Sequence, residues 1–174
     1  MTAVLNKFLS LDSAGTATEN AAVTTSTANA IPTLDGSGLL NMNMMPSGAG
    51  PAFVTAVADA AGVAAGDMVY LTDVAGALTA SKAQANALAT LACGYVLDAA
   101  AVGVSVKVYL SGINTLAAHG VAGENIWLST STPGAVVNAL PTGSGNYIQQ
   151  VGLGVGVSTA LKVILNIQPT IAIP

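Results

Sequence analysis

The feature that most constrains this chain is a series of short alternating segments, which begins near Ala52 and continues to Ile167. The clearest example lies at 104–110, where apolar side chains alternate with Ser105 and Lys107. This period of two is typical of a β-strand with one buried face. Turn-forming residues separate about eight such segments, a spacing typical of all-β domains. We therefore predict an all-β fold, a small antiparallel β-barrel or sandwich, over residues 52–174.

Further patterns in this region concern local structure. Residues 73–76 are expected to form a hairpin loop, residues 124–129 a strand that carries the single Trp, and residues 147–157 and 160–167 a closing pair of strands. Residues 81–89 are compatible with a short helix that has Ser81 as its N-cap, and equally with a loop. Gly152, Gly154 and Gly156 alternate, which places them on one face of a strand, where a neighbouring backbone or ring can approach closely. They do not form a phosphate-binding loop, because G-x-G-x-x-G requires Gly at position 157, which is Val.

Residues 1–30 are predicted to form an extended N-terminal arm. The first part, residues 1–12, gathers apolar side chains around Lys7 and forms either a helical turn or a short strand. It is too short to be stable alone, so it should become ordered against a surface. Residues 13–30 are a low-complexity segment without large apolar groups, which we expect to be flexible or ordered by a partner.

Residues 31–51 are predicted to be an extended, turn-rich junction between the arm and the β domain. Pro32 and Pro46 favour extended backbone in the residues that precede them, and the Gly residues between 35 and 38 allow a tight turn. The junction carries too much apolar surface for a linker left in water. We expect arm and junction together to form an interface with a partner or a second subunit. The predicted interface residues are Leu5, Lys7, Phe8, Leu9, Leu11, Ile31, Pro32, Leu34, Leu39, Leu40, Met42, Met44, Met45 and Pro46.

The charge content limits how this protein can exist in solution. Only 12 of 174 residues are charged, or 7%, and none is Arg, whereas about 25% is usual. Because a free monomer normally keeps a charged surface, we expect the chain to assemble with copies of itself or on a larger structure. The net charge of −4 and the lack of Arg argue against nucleic-acid binding. No apolar window of about 20 residues predicts a membrane span, and no secretory signal is visible.

The sequence predicts no catalytic residue, no cofactor site and no metal site, so we expect a non-enzymatic protein. His119 is the single histidine and Cys93 the single cysteine, too few for a zinc site or a nucleophile–base pair. Asp35, Asp67, Asp73 and Asp98 all adjoin turn residues, where Asx-turn capping explains them. Cys93 lies between Ala92 and Gly94 and is expected to be a small buried residue.

Three groups of segments resemble those of tailed-phage head decoration proteins, the capsid cement or head-fibre-like proteins. The first two are the start of the chain, Asn6 to Leu11, and the junction, Ile31 to Leu39 and Met44 to Gly50. The third is the spread-out β pattern. Its segments are Ala65–Tyr70, Ala92–Leu97, Val106–Thr115, Ile126–Ser129, Pro133–Gly134 and Pro141–Gly152.

The resemblance implies a virion structural protein. Members of this kind bind the outside of an assembled shell, often as trimers at local three-fold positions. The expected partners are then the major capsid protein and further copies of this chain, and the expected location is the capsid exterior, with host cytoplasm during assembly. A tail or fibre component is the alternative. A glycan-binding surface module, with Trp127, Tyr70 and Tyr109 as stacking residues, is a further one.

Overall fold

The computed structural model describes residues 7–11, 17–21, 52–117, 122–157 and 160–174. These residues fall into two units, Met1–Gly50 and Pro51–Pro174, and each is described by itself. Apart from one 3-10 turn, every regular element in the described ranges is a β-strand. The predicted all-β class is therefore confirmed. None of the described residues forms a helix that is long and apolar enough to cross a membrane.

In the first unit two strands form an antiparallel pair. Strand β1 (Lys7–Leu11) pairs with β2 (Ala17–Ala21), with Lys7 opposite Ala21 and Leu11 opposite Ala17. Of the two conformations that the sequence left open for the start of the chain, the strand is the one observed. β2 lies within the low-complexity segment 13–30, whose composition gave no sign of a strand. Main-chain hydrogen bonds can pair two strands without large side chains, so a strand can form in this segment despite its composition.

The first sheet of the second unit closes into a five-stranded barrel. Its strands are β3 (Phe53–Ala58), β4 (Met68–Val74), β5 (Ala77–Lys82), β6 (Gly94–Val96) and β7 (Ser105–Tyr109). The order around the barrel is β3-β5-β4-β6-β7, and β7 pairs with β3 to close it. All pairs are antiparallel except β3 and β5, which run parallel and meet at only two residue pairs, Val57–Thr79 and Ala58–Ala80.

The barrel interior is filled by small side chains. A closed sheet of so few strands has little interior space, and the excess of Ala and Val in the composition fits this limit. On β7, Val106 and Val108 are buried, as the alternation predicts. Val104 and Leu110 have the same parity but lie beyond the ends of the strand, and are 51% and 39% exposed. The interior residues are Ala56, Ala58, Val63, Val69, Ala80, Val96, Ala100, Val106 and Val108.

A two-residue turn joins β4 to β5 at the hairpin predicted for residues 73–76. Ala75 and Gly76 both have positive φ, 54° and 82°, which is the conformation of a type I′ turn between the paired residues Val74 and Ala77. The Asp73 carboxylate accepts a hydrogen bond from the Gly76 amide at 2.8 Å. This confirms the predicted Asx role for Asp73.

The helix alternative for residues 81–89 is wrong. β5 continues through Ser81 to Lys82, and only Leu88–Thr90 forms a 3-10 turn. The backbone between them makes hydrogen bonds with other segments: the Ala83 amide donates to Met68 O and the Ala85 amide to Ser129 O. Amides used in this way cannot enter an i-to-i−4 helical ladder.

A second five-stranded sheet follows the barrel in the chain. It consists of β8 (Ile113–Asn114), β9 (Asn125–Leu128), β10 (Val136–Val137), β12 (Gln150–Val157) and β13 (Ala160–Leu165), in the order β10-β9-β12-β13-β8. β11 (Tyr147–Ile148) pairs instead with β14 (Ile171–Ala172). The stretch 147–157, expected to be one strand, is therefore divided between two sheets. The apolar tail is paired through β14, although the Ile171 side chain stays 63% exposed.

A second apolar core contains residues of the barrel and of the second sheet. Its largest fully buried members include Tyr95 and Met68 from the barrel strands and Ile126 and Leu128 from β9. Gly152 on β12 lies so close to β13 that a Cβ there would overlap the Ile164 carbonyl oxygen, which agrees with the expected close approach. The core residues are Met68, Ala83, Ala85, Ala92, Tyr95, Ala117, Ile126, Leu128, Val136, Val151 and Val163.

Candidate interaction surface

The side of the second sheet that faces away from this core is a largely apolar surface. Successive side chains of a strand point to opposite faces. Ile126 and Leu128 are buried in the core, so Trp127 between them points outwards. Residues directly opposite each other on neighbouring strands point to the same face, so the register identifies the outward-pointing residues of the other strands. We define the outer face as Ile113, Asn125, Trp127, Val137, Gln150, Leu153, Val155, Lys162 and Ile164.

The part of the outer face formed by β12, β13 and the edge strand β8 carries a row of three large aliphatic side chains. Leu153 on β12 is opposite Ile164 on β13, which is opposite Ile113 on β8. They are 38%, 40% and 45% exposed, respectively. Trp127 and Val137 are paired on β9 and β10 and are half-buried. Three adjacent exposed aliphatic groups form a contiguous patch, which is more informative than isolated surface apolar residues.

The outer face has few polar groups that would need a hydrogen-bond or charge partner in a contact. The Gln150 side-chain amide donates to Asn125 Oδ1 at 3.1 Å, so this pair is partly satisfied within the face. Lys162, at the start of β13, is the one charged side chain that the register places on it. A surface with so little charge favours contact with another apolar surface over an ionic or nucleic-acid partner.

The edges of this sheet are short. β8 and β10, the outermost strands, each have only two residues. Short edge strands offer few unpaired backbone groups for strand addition. The second sheet is therefore better suited to contacts through its face than through its edges.

One groove of the second unit is lined by a pair of charged residues, Asp67 and Lys82. The groove has a volume of about 270 Å³ and is lined in part by Asp67, Lys82, Leu116 and Gly134. The Asp67 carboxylate accepts from the Ala64 amide at 2.8 Å and lies 3.2 Å from Lys82 Nζ. Both charged groups are thus engaged within the fold, which confirms the turn-capping role predicted for Asp67 and leaves the groove without a free charge of its own.

The aromatic residues named as glycan-stacking candidates do not form one platform. Tyr109 stacks on Tyr95 with ring centroids 5.5 Å apart and lies 5.9 Å from Phe53, whose ring is covered by Lys107 Nζ at 5.1 Å. Tyr70 packs against the second core. A sugar needs an accessible ring face, and these tyrosines use theirs internally.

The remaining titratable candidates show no reactive arrangement within the described part of the chain. Three or more His, Cys, Asp or Glu residues that could hold a metal ion do not occur together there. Cys93 is half-buried, and burial raises the pKa of its thiol despite backbone hydrogen bonds that act in the opposite direction. A thiol with a raised pKa is a poorer nucleophile at neutral pH. His119 lies outside the described residues.

Most of the predicted interface residues also lie outside the described residues, including Leu5 and the whole set from Ile31 to Pro46. Lys7, Phe8, Leu9 and Leu11 fall in β1, of which the backbone is described. Their contacts with a partner stay a prediction.

The outer face itself was not identified from the sequence. One signal was present: residues 125–161 contain no charged residue, although they include three strands of one sheet. A strand with a solvent-exposed face normally alternates apolar with polar residues. The absence of that alternation on β12 and β13 indicates that the second face of the sheet is also suited to apolar contact.

Comparisons with protein-family models, with curated protein sequences and with solved structures found no match to this chain.

Proposed function

We propose that this protein is a non-enzymatic phage virion protein that decorates and cements the outer surface of the capsid. In this role its β domain rests on the assembled shell, and its N-terminal arm and junction contact the major capsid protein and neighbouring subunits. The mechanism is adhesion through apolar area and main-chain pairing. It requires no cofactor.

The observation that carries the proposal is the imbalance between apolar and charged groups at the surface. Among the described residues, thirteen large apolar side chains are at least 38% exposed, whereas residues 52–174 contain only eight charged residues. A freely soluble monomer normally has the opposite balance. The resemblance of the arm, junction and β segments to head decoration proteins supports the capsid as the surface that this protein covers.

The strand pairing of the arm is compatible with this role. A two-stranded pair such as β1–β2 is by itself at best marginally stable in water, so further pairing at one of its edges would stabilise it. Addition of a strand to a neighbour gains main-chain hydrogen bonds without a specific side-chain code. A tail or fibre position would use the same chemistry and is the second candidate for the location.

Deletion of residues 1–12 tests the anchoring role of the arm. The truncated protein should keep a folded β domain, because both cores are built from residues after Ala52. It should no longer co-sediment with capsids of the phage that encodes it, since the apolar cluster around Lys7 is gone. Circular dichroism checks the fold, and pelleting with empty capsids measures binding.

A control replaces Thr24 and Thr25 by Ala in the full chain, which changes another part of the same arm without removing large apolar groups. The control should pellet with capsids as the unchanged protein does. If the truncated protein binds capsids equally well, the arm is not the anchor.

A further inference from the structure

We propose that the seam between β3 and β5 contains a strand-addition site, at which the Phe53–Thr55 edge of β3 binds an extended peptide strand with small apolar side chains on one face. The inference concerns the barrel alone. It goes beyond the proposed function, because it stands whether or not this chain decorates a capsid.

The barrel is closed over only part of this seam. β3 pairs with β7 from Phe53 to Val57, whereas it meets β5 only at Val57 and Ala58. Full closure of a barrel removes strand edges, because every strand then has a partner on both sides. The first part of β3 has a paired strand on the β7 side only, so one of its edges stays open.

The hydrogen-bond pattern shows which backbone groups of β3 face the open edge. The Leu110 amide donates to Ala52 O, and the Ala58 amide donates to Val104 O. Even-numbered residues of this segment therefore direct their N–H and C=O groups to β7, because alternate residues of an antiparallel pair do so. The odd-numbered residues direct theirs to the seam.

Phe53 and Thr55 are the odd-numbered residues of the open part, and each has one N–H and one C=O group turned to the seam. Within the described ranges, none of these groups has a backbone partner on that side. Both residues are exposed, so water can bind these groups in the free protein. An accessible row of unpaired backbone groups is a template for a further strand.

The end of the barrel beside this edge selects the side chains of the added strand. Val54 on β3 and Leu71 on β4 are half-buried and pack against the barrel interior. Leu78 lies on the same face of β5 as the buried Ala80 and is 40% exposed. A strand that pairs with β3 turns every second side chain towards the barrel. In a narrow barrel these side chains must be small, and next to Leu and Val they should be apolar.

The added strand is expected to run antiparallel to β3, because antiparallel pairing is the more stable per residue. Its residues opposite Phe53 and Thr55 then exchange backbone hydrogen bonds with them, and the residues between face the barrel. In this mode of recognition, main-chain hydrogen bonds give affinity and alternate side chains give specificity.

Amide hydrogen exchange in the full chain tests whether the edge is open. The Phe53 and Thr55 amides should exchange rapidly, whereas the Val54 and Ala56 amides should be protected by their hydrogen bonds to β7. A protected Thr55 amide in the protein alone would show that another segment already covers the edge, and this result overturns the proposal.

Peptide binding tests the addition of a strand. The probe is a blocked peptide of alternating Thr and Val with a Lys at each end, in which Thr lies opposite Phe53 and Thr55 and Val faces the barrel. Titration of the full chain should shift the Phe53 and Thr55 amide resonances and slow their exchange. N-methylation of the Thr residues of the peptide removes the donors to β3 and should weaken binding by at least about tenfold.

The matched control peptide carries the N-methyl groups on its Val residues, whose N–H groups point away from β3. It has the same charge and composition and should bind as the unmethylated peptide does. If methylation of the Thr residues weakens binding no more than methylation of the Val residues, the proposed pairing is wrong.

A change in the protein gives an independent measurement. Thr55→Pro removes the N–H group that faces the seam and leaves the hydrogen bonds to β7, and Pro is tolerated at such edge positions. It should abolish peptide binding, whereas Thr55→Val keeps the N–H group and should bind the peptide. Circular dichroism checks that both variants are folded, and equal binding by two folded variants overturns the proposal. If Thr55→Pro does not fold, the two N-methylated peptides decide the question with the unchanged protein.

Discussion

At the residue scale, buried amide side chains hold parts of the domain together where strands do not pair. Gln149 is buried and binds the backbone of Ala92 twice: its Nε2 donates to Ala92 O at 2.9 Å and its Oε1 accepts from Ala92 N at 2.8 Å. The Asn114 side chain also makes two hydrogen bonds to the backbone: Nδ2 donates to Gly66 O and Oδ1 accepts from Leu116 N. Neither residue stands out in the sequence, because Gln and Asn are usually exposed.

Gln149→Ala should destabilise the domain strongly. It leaves the buried amide and carbonyl of Ala92 without partners, and each unsatisfied buried group costs about 1–3 kcal/mol. We expect a loss of about 2–4 kcal/mol in the free energy of unfolding, measured by urea denaturation. Gln168→Ala is the control. Its side-chain amide is exposed and, among the described residues, donates to Asn166, so its effect should stay within about 0.5 kcal/mol. Equal midpoints for the two variants would contradict the role given to Gln149.

At the element scale, the sequence predicts the positions of most strands but not which strands pair with each other. The Trp-containing strand was expected at residues 124–129 and runs from Asn125 to Leu128. The closing pair was expected near 147–167 and is present as β12 and β13. The order within each sheet and the parallel β3–β5 seam depend on contacts between residues far apart in the chain, and local alternation carries no information about them. The division of residues 147–157 between two sheets also depends on such long-range contacts.

The β4–β5 hairpin offers a test of local turn chemistry. Ala75 has φ of 54°, in the left-handed region that costs an L-residue about 1–2 kcal/mol, while Asn tolerates it better. Asn-Gly is the preferred pair for a type I′ turn. Ala75→Asn should therefore raise the free energy of unfolding by about 0.5–1 kcal/mol in urea denaturation. Ala77→Asn, which lies just past the turn on β5, is the control and should not stabilise. An unchanged or lowered midpoint for Ala75→Asn would show that the turn is not strained.

At the scale of the whole molecule, the alternation of apolar and polar residues predicted the all-β domain better than it predicted the surface. Abundant Ala and Val with few aromatics fit a narrow barrel interior, and alternation on β7 located Val106 and Val108 inside it. The outer face is a different case. On β12, glycines at 152, 154 and 156 lie on the core side and Leu153 and Val155 on the outer side, so no alternation of apolar with polar residues distinguishes the two sides. That distinction comes only from the core residues of β9 with which β12 is in register.

The surface predicts that the full chain is oligomeric at micromolar concentration. Light scattering should give about three times the 17.0 kDa chain mass, since the resemblance implies trimers and the exposed apolar groups provide the contact area. Contacts of this kind are not weakened by salt, whereas ionic contacts between exposed groups are screened. The mass should therefore be unchanged when the salt concentration is raised, and this comparison is the control for ionic association. A mass of one chain across the micromolar range would contradict the prediction.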